Sequence, residues 1–174
     1  MSSSPSNPDA LEKFLEKILE QRDGEAPELD SESLRALAVK YGLDDDAYEK
    51  LVQEAGEHRE RGFLFFEHGN WDDAIAELNQ AYVVLPHDSE LGFVLGKAYA
   101  SEYREGKVDS NRAQAEKLFR LCITRDATHV EAIRELTDLE KLADENASLT
   151  SWLKPVLIVL AGYLRWGSSL GEIQ

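Results

Sequence analysis

The sequence predicts an all-α protein built from antiparallel helical hairpins that stack on one another. Apolar residues recur at three- and four-residue spacing along most of the chain, which is the period of an amphipathic helix. The five prolines and eleven glycines cluster at the ends of these segments, whereas an all-β protein would show turn residues at short, regular intervals. In the middle of the chain, small and large residues also alternate where two helices would pack.

Composition and charge limit the classes of function. The chain has 174 residues, of which 43% are hydrophobic, enough to form a real core. Its formal net charge of −15 would repel nucleic acid and anionic membranes, so the expected partners are proteins. The one cysteine, Cys122, allows neither a disulfide framework nor a cysteine metal cluster within the chain. Residues 1–9 lack the basic start and apolar core of a signal peptide, which predicts a cytoplasmic protein.

An N-terminal helical module is expected over residues 8–54, after a disordered leader at residues 1–7. Asn7 and Pro8 form a helix start, because proline at the first helical position loses no hydrogen bond. An apolar stripe follows at helical spacing and ends near Asp23. The stripe consists of Leu11, Phe14, Leu15, Ile18 and Leu19. A helix with such a stripe needs another surface to cover it.

A second hairpin is predicted within this module. Asp30 or Ser31 can cap a short helix that ends at Gly42, and Asp44 can cap the helix that follows. The spacing also fits a DNA-binding helix-turn-helix, whose second helix presents its first residues to the major groove. Here those residues are Asp44–Asp46, and DNA phosphates would repel their carboxylates. A structural hairpin is therefore predicted rather than a DNA-binding one.

From residue 55 onward, a pattern of small and large residues occurs twice. Gly62 is small enough for two helices to approach closely, and Gly69-Asn70 is a turn pair between two helical segments. The first occurrence comprises Gly62, Phe65, Trp71, Ala74, Leu78, Ala81 and Pro86. The second comprises Leu95, Gly96, Tyr99, Ala115, Phe119 and Cys122. Each occurrence predicts two antiparallel helices that meet in a contact of small, large and small residues.

These residues resemble the tetratricopeptide repeat, a helical hairpin with a period of 34 residues. The resemblance implies a short right-handed solenoid over residues 55–145. Its expected units are residues 55–88, residues 89–129 and, as a partial third repeat, residues 130–145. In the second unit, Ala127 stands where proline is usual, and the unit is about seven residues too long. Because the surplus is polar, an extended loop is predicted over Glu102 to Arg112.

The resemblance implies a concave face lined by the first helix of each unit. The groove residues that it implies are Arg59, Phe63, Phe66, Phe93, Lys97, Ser101 and Arg134, with Glu131 and Asp138 beside Arg134. Three cations on one face of an acidic chain predict a groove for an extended or helical peptide that carries carboxylates. In the alternative interpretation, Arg59 and Lys97 pair with neighbouring acids such as Glu90 and Glu131.

The carboxylate clamp that some tetratricopeptide proteins use to grip chaperone C-termini is not expected here. Its Lys/Asn/Asn/Lys/Arg set is replaced at four of the five positions by Phe63, Val94, Glu131 and Glu135. No catalytic, cofactor or metal site is predicted either. The histidines, His58, His68, His87 and His129, are scattered and have no metal-ligand spacing. No nucleophile or phosphate-loop signature occurs, so we expect a protein that is not an enzyme.

The C-terminal segment, residues 146–174, carries an apolar stretch from Trp152 to Trp166. Its uncharged core covers residues 155–164, well short of the ~20 residues that span a bilayer. Three interpretations remain open at this point. The segment caps the open end of the solenoid, or forms a homodimer contact, or touches a membrane, where its terminal tryptophans and cations would suit the interface.

Together these features predict a protein–protein interaction adaptor or scaffold that needs no cofactor and no metal. The expected partner is a protein or peptide with acidic groups, and no nucleic acid is expected. Two other functions remain open. A secretion-type chaperone would hold an export substrate with the same repeats and N-terminal helix, and a membrane-associated assembly factor would use the apolar C-terminal segment.

Overall fold

A computed structural model describes residues 8–23 and 30–167 of the chain, with side chains for residues 9–20 and 30–148. Every element in this described part is an α-helix, which confirms the predicted all-α class. The helices are α1 (Pro8–Asp23), α2 (Ser31–Lys40), α3 (Asp45–Glu67), α4 (Trp71–Val84), α5 (Ser89–Gly106), α6 (Asp109–Arg125) and α7 (Val130–Gly167). The expected leader at residues 1–7 lies outside the described residues.

Aspartate side chains cap the N-termini of three of these helices. Asp30 accepts a hydrogen bond from the Ser33 amide at 2.8 Å, and Asp44 accepts one from the Ala47 amide at 2.8 Å. Each bond satisfies an amide that has no carbonyl partner in the first helical turn. Asp88 caps α5 in the same way. The caps predicted at Asp30 and Asp44 are therefore confirmed, and Asp30 rather than Ser31 is the N-cap of α2.

Two glycines lie just after the ends of helices. Gly42 follows α2 with φ +89°, and Gly69 follows α3 with φ +75°. Both values fall in the left-handed region, where glycine meets no steric penalty because it lacks a Cβ. The turn predicted at Gly69-Asn70 is confirmed, and it returns the chain so that α4 packs against α3.

The extended polar loop predicted over Glu102 to Arg112 is wrong. Helix α5 continues through Gly106 and α6 begins at Asp109, so the surplus residues lengthen both helices. The reason is that the last turn of α5 is anchored to α7. Tyr103 is 3% exposed, and Arg104 donates to Glu135 of α7 at 2.8 Å. The connection itself is short because Lys107 adopts φ +57°.

Each helix from α3 to α6 packs against the next helix in the chain, while α3 also contacts α5 and α5 also contacts α7. Two glycines permit the closest approaches. A Cβ built on Gly62 would lie 2.5 Å from Leu78 Cδ2, and one on Gly96 would lie 2.8 Å from Phe119 Cε1. Leu78 and Phe119 are both fully buried. The close approach predicted at Gly62 is confirmed.

The N-terminal helices form a core that includes a residue from α4. Phe14 is fully buried, and its ring lies 6.3 Å from that of Tyr48 in an edge-on arrangement. Val83 of α4 packs against the same apolar cluster. Ser31 Oγ also lies 3.0 Å from His87 Nε2, just after α4. These contacts join α1 and α2 to the hairpin that follows.

Helix α7 is continuous from Val130 to Gly167, so no break separates the expected partial repeat from the C-terminal segment. Asn146 donates to the Tyr103 hydroxyl at 3.4 Å. The side chains of Trp152 to Trp166 lie outside those described, and the three interpretations of this stretch remain predictions. Within the described residues, none of the helices combines the length and the apolar character that crossing a membrane requires.

Candidate functional site

The residues predicted to line a groove lie on α3, α5 and α7. On α3 they are Arg59, Phe63 and Phe66, on α5 Phe93, Lys97 and Ser101, and on α7 Arg134. Spacings of three and four residues place the members of each set on one face of their helix. Because α3 contacts α5 and α5 contacts α7, these three helices are neighbours. Side-chain contacts decide which of the predicted residues actually meet.

Phe66, Phe93 and Lys97 meet, and we call them the aromatic–lysine cluster. Lys97 Nζ lies 5.2 Å from the ring centroid of Phe66 and 5.7 Å from that of Phe93. All three side chains are half-buried. An ammonium over aromatic faces is attracted by the negative charge of the ring faces. The cluster therefore links α3 to α5 through one cation.

The rings of the aromatic–lysine cluster are supported by further rings. Phe66 lies 5.4 Å from Trp71, the first residue of α4, in an edge-on arrangement. Phe93 lies 4.7 Å from the His129 ring and 5.9 Å from the buried Phe119 ring. Neighbours on α4, on α6 and before α7 thus fix the positions of the two phenylalanines. Such contacts restrict the two phenylalanine rings to one arrangement.

Among the described residues, no carboxylate lies within ion-pair distance of the Lys97 ammonium. The ion pair with Glu131 considered in the alternative interpretation does not form, since Glu131 lies 3.7 Å from His129 instead. Lys97 is thus a half-buried cation in a chain with a formal charge of −15. Burying an ammonium without a counter-charge costs free energy, which the two ring faces reduce in part.

Arg59 differs from Lys97 because its charge is balanced within the chain. Its Nε donates to Asp88 Oδ2 at 2.9 Å, and its Nη2 donates to Glu90. The guanidinium also lies 4.3 Å from the ring centroid of Phe63. The pairing of Arg59 with Glu90 is the one foreseen in the alternative interpretation. Arg59 therefore fastens α3 to the beginning of α5.

Ser101 and Arg134 show no side-chain hydrogen bond or ion pair with another described residue. Ser101 is half-buried on α5, and Arg134 is exposed on α7. Asp138, which was expected beside Arg134, lies 3.6 Å from Lys141. The structure gives no contact that joins Ser101 or Arg134 to the aromatic–lysine cluster. The three predicted cations are thus placed differently, with one paired, one over aromatic rings and one exposed.

Asp88 is a residue of this region whose role the sequence reasoning missed. Its Oδ1 accepts from the Leu91 amide at 2.9 Å and caps α5, while its Oδ2 accepts from Arg59. The sequence itself indicates the cap, because an Asp before an apolar helical segment commonly begins a helix. The pairing with Arg59 carried no such signal.

A second polar cluster joins α3 to α4 through Glu77. His58 Nδ1 lies 2.7 Å from Glu77 Oε2, and Arg61 Nε donates to the same oxygen at 2.9 Å. Burial raises the pKa of the Glu77 carboxyl, but the hydrogen bonds with His58 and Arg61 outweigh it and leave that pKa below its ordinary value. This arrangement explains His58 as a residue that joins two helices.

Two further observations concern chemistry. In the described residues, no group of three His, Cys, Asp or Glu side chains is placed to hold a metal ion. Cys122 is 2% exposed, and burial raises the pKa of its thiol, so the reactive thiolate is disfavoured.

A comparison with known protein families, curated proteins and solved structures gives no match to this chain.

Proposed function

We propose that this chain is a non-enzymatic adaptor or scaffold that binds a peptide or helical segment of a partner protein. The binding surface lies across α3, α5 and α7 in a groove of the tetratricopeptide type. The observation that carries the proposal is the aromatic–lysine cluster, which combines half-buried rings with a cation that lacks a carboxylate partner among the described residues. Aromatic side chains are enriched in the buried cores of protein interfaces, and a lysine beside them can pair with a carboxylate of the partner.

The spacing of the close helix contacts supports a repeat of this type. The two glycines that touch large side chains of the following helix, at positions 62 and 96, are 34 residues apart. Their partners, Leu78 and Phe119, are separated by seven residues more, and those seven residues lengthen α5 and α6. The same contact thus occurs twice at the period of the tetratricopeptide repeat, with the insertion placed between the two halves of one hairpin.

Site-specific photo-crosslinking in source-cell extract tests the proposal. A photoreactive phenylalanine analogue at Phe63, which is half-buried on α3, should crosslink a partner protein. The matched control carries the analogue at Val39, which is 60% exposed on α2, outside the three proposed helices. The double substitution Lys97→Glu/Arg134→Glu should abolish the crosslink at Phe63. Crosslinking at Val39 but not at Phe63 would contradict the proposed groove.

A further inference from the structure

We propose that the aromatic–lysine cluster is a subsite for one Asp or Glu side chain of the bound peptide, flanked by aliphatic residues. Lys97 would bind the carboxylate, and the rings of Phe66 and Phe93 would contact the aliphatic neighbours. This inference rests on the proposed function and adds the charge and composition of the ligand. It also limits the number of acidic groups that the groove accepts at this point.

The first argument is charge complementarity. The chain has 34 acidic and 19 basic side chains, so a cation has many possible partners. Two arginines on the same helices are paired, since Arg59 binds Asp88 and Arg104 binds Glu135 at 2.8 Å, while Arg134 is exposed to solvent. Lys97 is half-buried and has no such partner among the described residues. A peptide carboxylate would supply the missing counter-charge at a place already shielded from solvent.

The second argument is the geometry of the ammonium. Lys97 has three N–H donors, and the ring faces at 5.2 Å and 5.7 Å attract the ammonium without accepting conventional hydrogen bonds. Its donors are thus free of side-chain acceptors in the described residues and can serve a ligand. The two rings present apolar surface on either side, which favours aliphatic residues next to the bound carboxylate.

The third argument concerns the charges nearby on the same three helices. On the α3–α5 side, two carboxylates, Asp88 and Glu90, face the single cation Arg59. Glu131 lies in the first turn of α7, and Arg134 of the same helix is exposed to solvent. A ligand with several adjacent carboxylates would be repelled by these groups once the first had bound Lys97. The site therefore selects a single acidic residue in an apolar context rather than an acidic run.

Selection from a random peptide library displayed on phage tests this subsite. The peptides are fused to the coat protein through their C-termini, so side chains supply the carboxylates on offer. The wild-type protein should enrich peptides with one Asp or Glu between aliphatic residues. Lys97→Glu should enrich Lys or Arg at that position, and Lys97→Met should bind a wild-type-selected peptide about tenfold more weakly. Lys50→Glu, an exposed substitution near the start of α3, should leave the selection unchanged.

Each outcome has a defined meaning once circular dichroism shows that the variants keep their helicity. Peptides that crosslink at Phe63 but are selected equally by wild type and Lys97→Glu would overturn the subsite and leave the groove intact. Selected peptides that fail to crosslink at Phe63, or no selection at all, would overturn the proposed function and the subsite with it. A change of the selected charge with Lys97→Glu supports both.

Discussion

Gly62 of α3 lies so close to Leu78 of α4 that any larger residue at position 62 would collide with it. A Cβ built on Gly62 would be 2.5 Å from Leu78 Cδ2 and 3.1 Å from the Leu78 backbone nitrogen. Leu78 is fully buried and cannot move into solvent to make room. The separation of the two helices is therefore set by the absence of a side chain on one residue and the size of the side chain on the other.

Replacing Gly62 with alanine should destabilise the protein. The added methyl group overpacks the contact with Leu78, and we expect the free energy of unfolding to fall by about 1–3 kcal/mol. Gly56→Ala is the matched control, because a Cβ there meets nothing within 4 Å in the same helix. That control should raise the free energy by about 0.5–1 kcal/mol through helix propensity. Urea unfolding measures both, and shifts of the same sign would contradict the expectation.

Asp88 should contribute to stability in two separable ways. Asp88→Ala removes the cap of α5 and the partner of Arg59, and we expect a loss of about 1–3 kcal/mol in unfolding free energy. Asp88→Asn keeps an oxygen that can cap the helix but removes the charge, so its loss should be smaller. The loss from Asp88→Asn should become smaller still in high salt, because salt screens the ion pair of Asp88 with Arg59, whose side chains are both about a quarter exposed. Equal losses of unfolding free energy for Asp88→Ala and Asp88→Asn would show that the helix cap does not contribute to stability.

Glu77 should make the protein less stable in acid. Its pKa in the folded protein lies below the ordinary value of 4.5, so the carboxylate stabilises the fold above that pH. The stabilisation is lost as pH falls through the folded pKa, because protonation weakens the bonds with His58 and Arg61. Between about pH 5.5 and pH 3.5, wild type should therefore lose more unfolding free energy than Glu77→Gln.

The control for the Glu77 experiment is Glu54→Gln, which alters a half-exposed glutamate of α3 outside this cluster. Urea unfolding at several pH values gives the free energy of each variant. Glu54→Gln should follow the wild-type dependence on pH. If Glu77→Gln follows it as well, the cluster of His58, Arg61 and Glu77 does not govern acid stability.

Cys122 should react slowly with thiol reagents in the folded protein. The side chain is 2% exposed between α6 and α7, and burial raises the pKa of the thiol. Labelling with a disulfide reagent should be at least about a hundredfold faster in denaturing urea, because reaction requires local opening of the core. The dependence of the rate on low urea concentrations then reports the opening of this helix pair. Equal rates in native and denaturing buffer would contradict the buried position.

Local features of this fold could be predicted from the sequence because they depend on neighbouring residues. Asp30 and Asp44 cap helices through amides three residues away, and Gly69 supplies a turn through its own backbone. The prediction of an extended loop over Glu102 to Arg112 is wrong, because polar composition occurs in exposed helices as well as in loops. What makes that segment helical is the burial of Tyr103 against α7, which local composition does not reveal.

The charge pairing in the candidate site also depends on contacts that local sequence does not reveal. Its position on α3 predicts Arg59 as a groove residue, yet Asp88 lies 29 residues further along the chain and accepts a hydrogen bond from its Nε. The same reasoning predicts Lys97, but only the packing of α3 against α5 shows that its ammonium lies close to two aromatic rings. Periodicity therefore predicted which residues share a face, while their pairing depended on contacts distant in sequence.

Helices α1 and α2 pack on α4, whereas the start of α7 leaves apolar side chains exposed. At one end, α1 and α2 lie over the first hairpin, with Val83 of α4 inside their apolar core. At the other end, Val130 and Ile133 of α7 remain 70% and 42% exposed. An extra helical unit, added by fusion or by engineering, would thus find apolar surface at the α7 end.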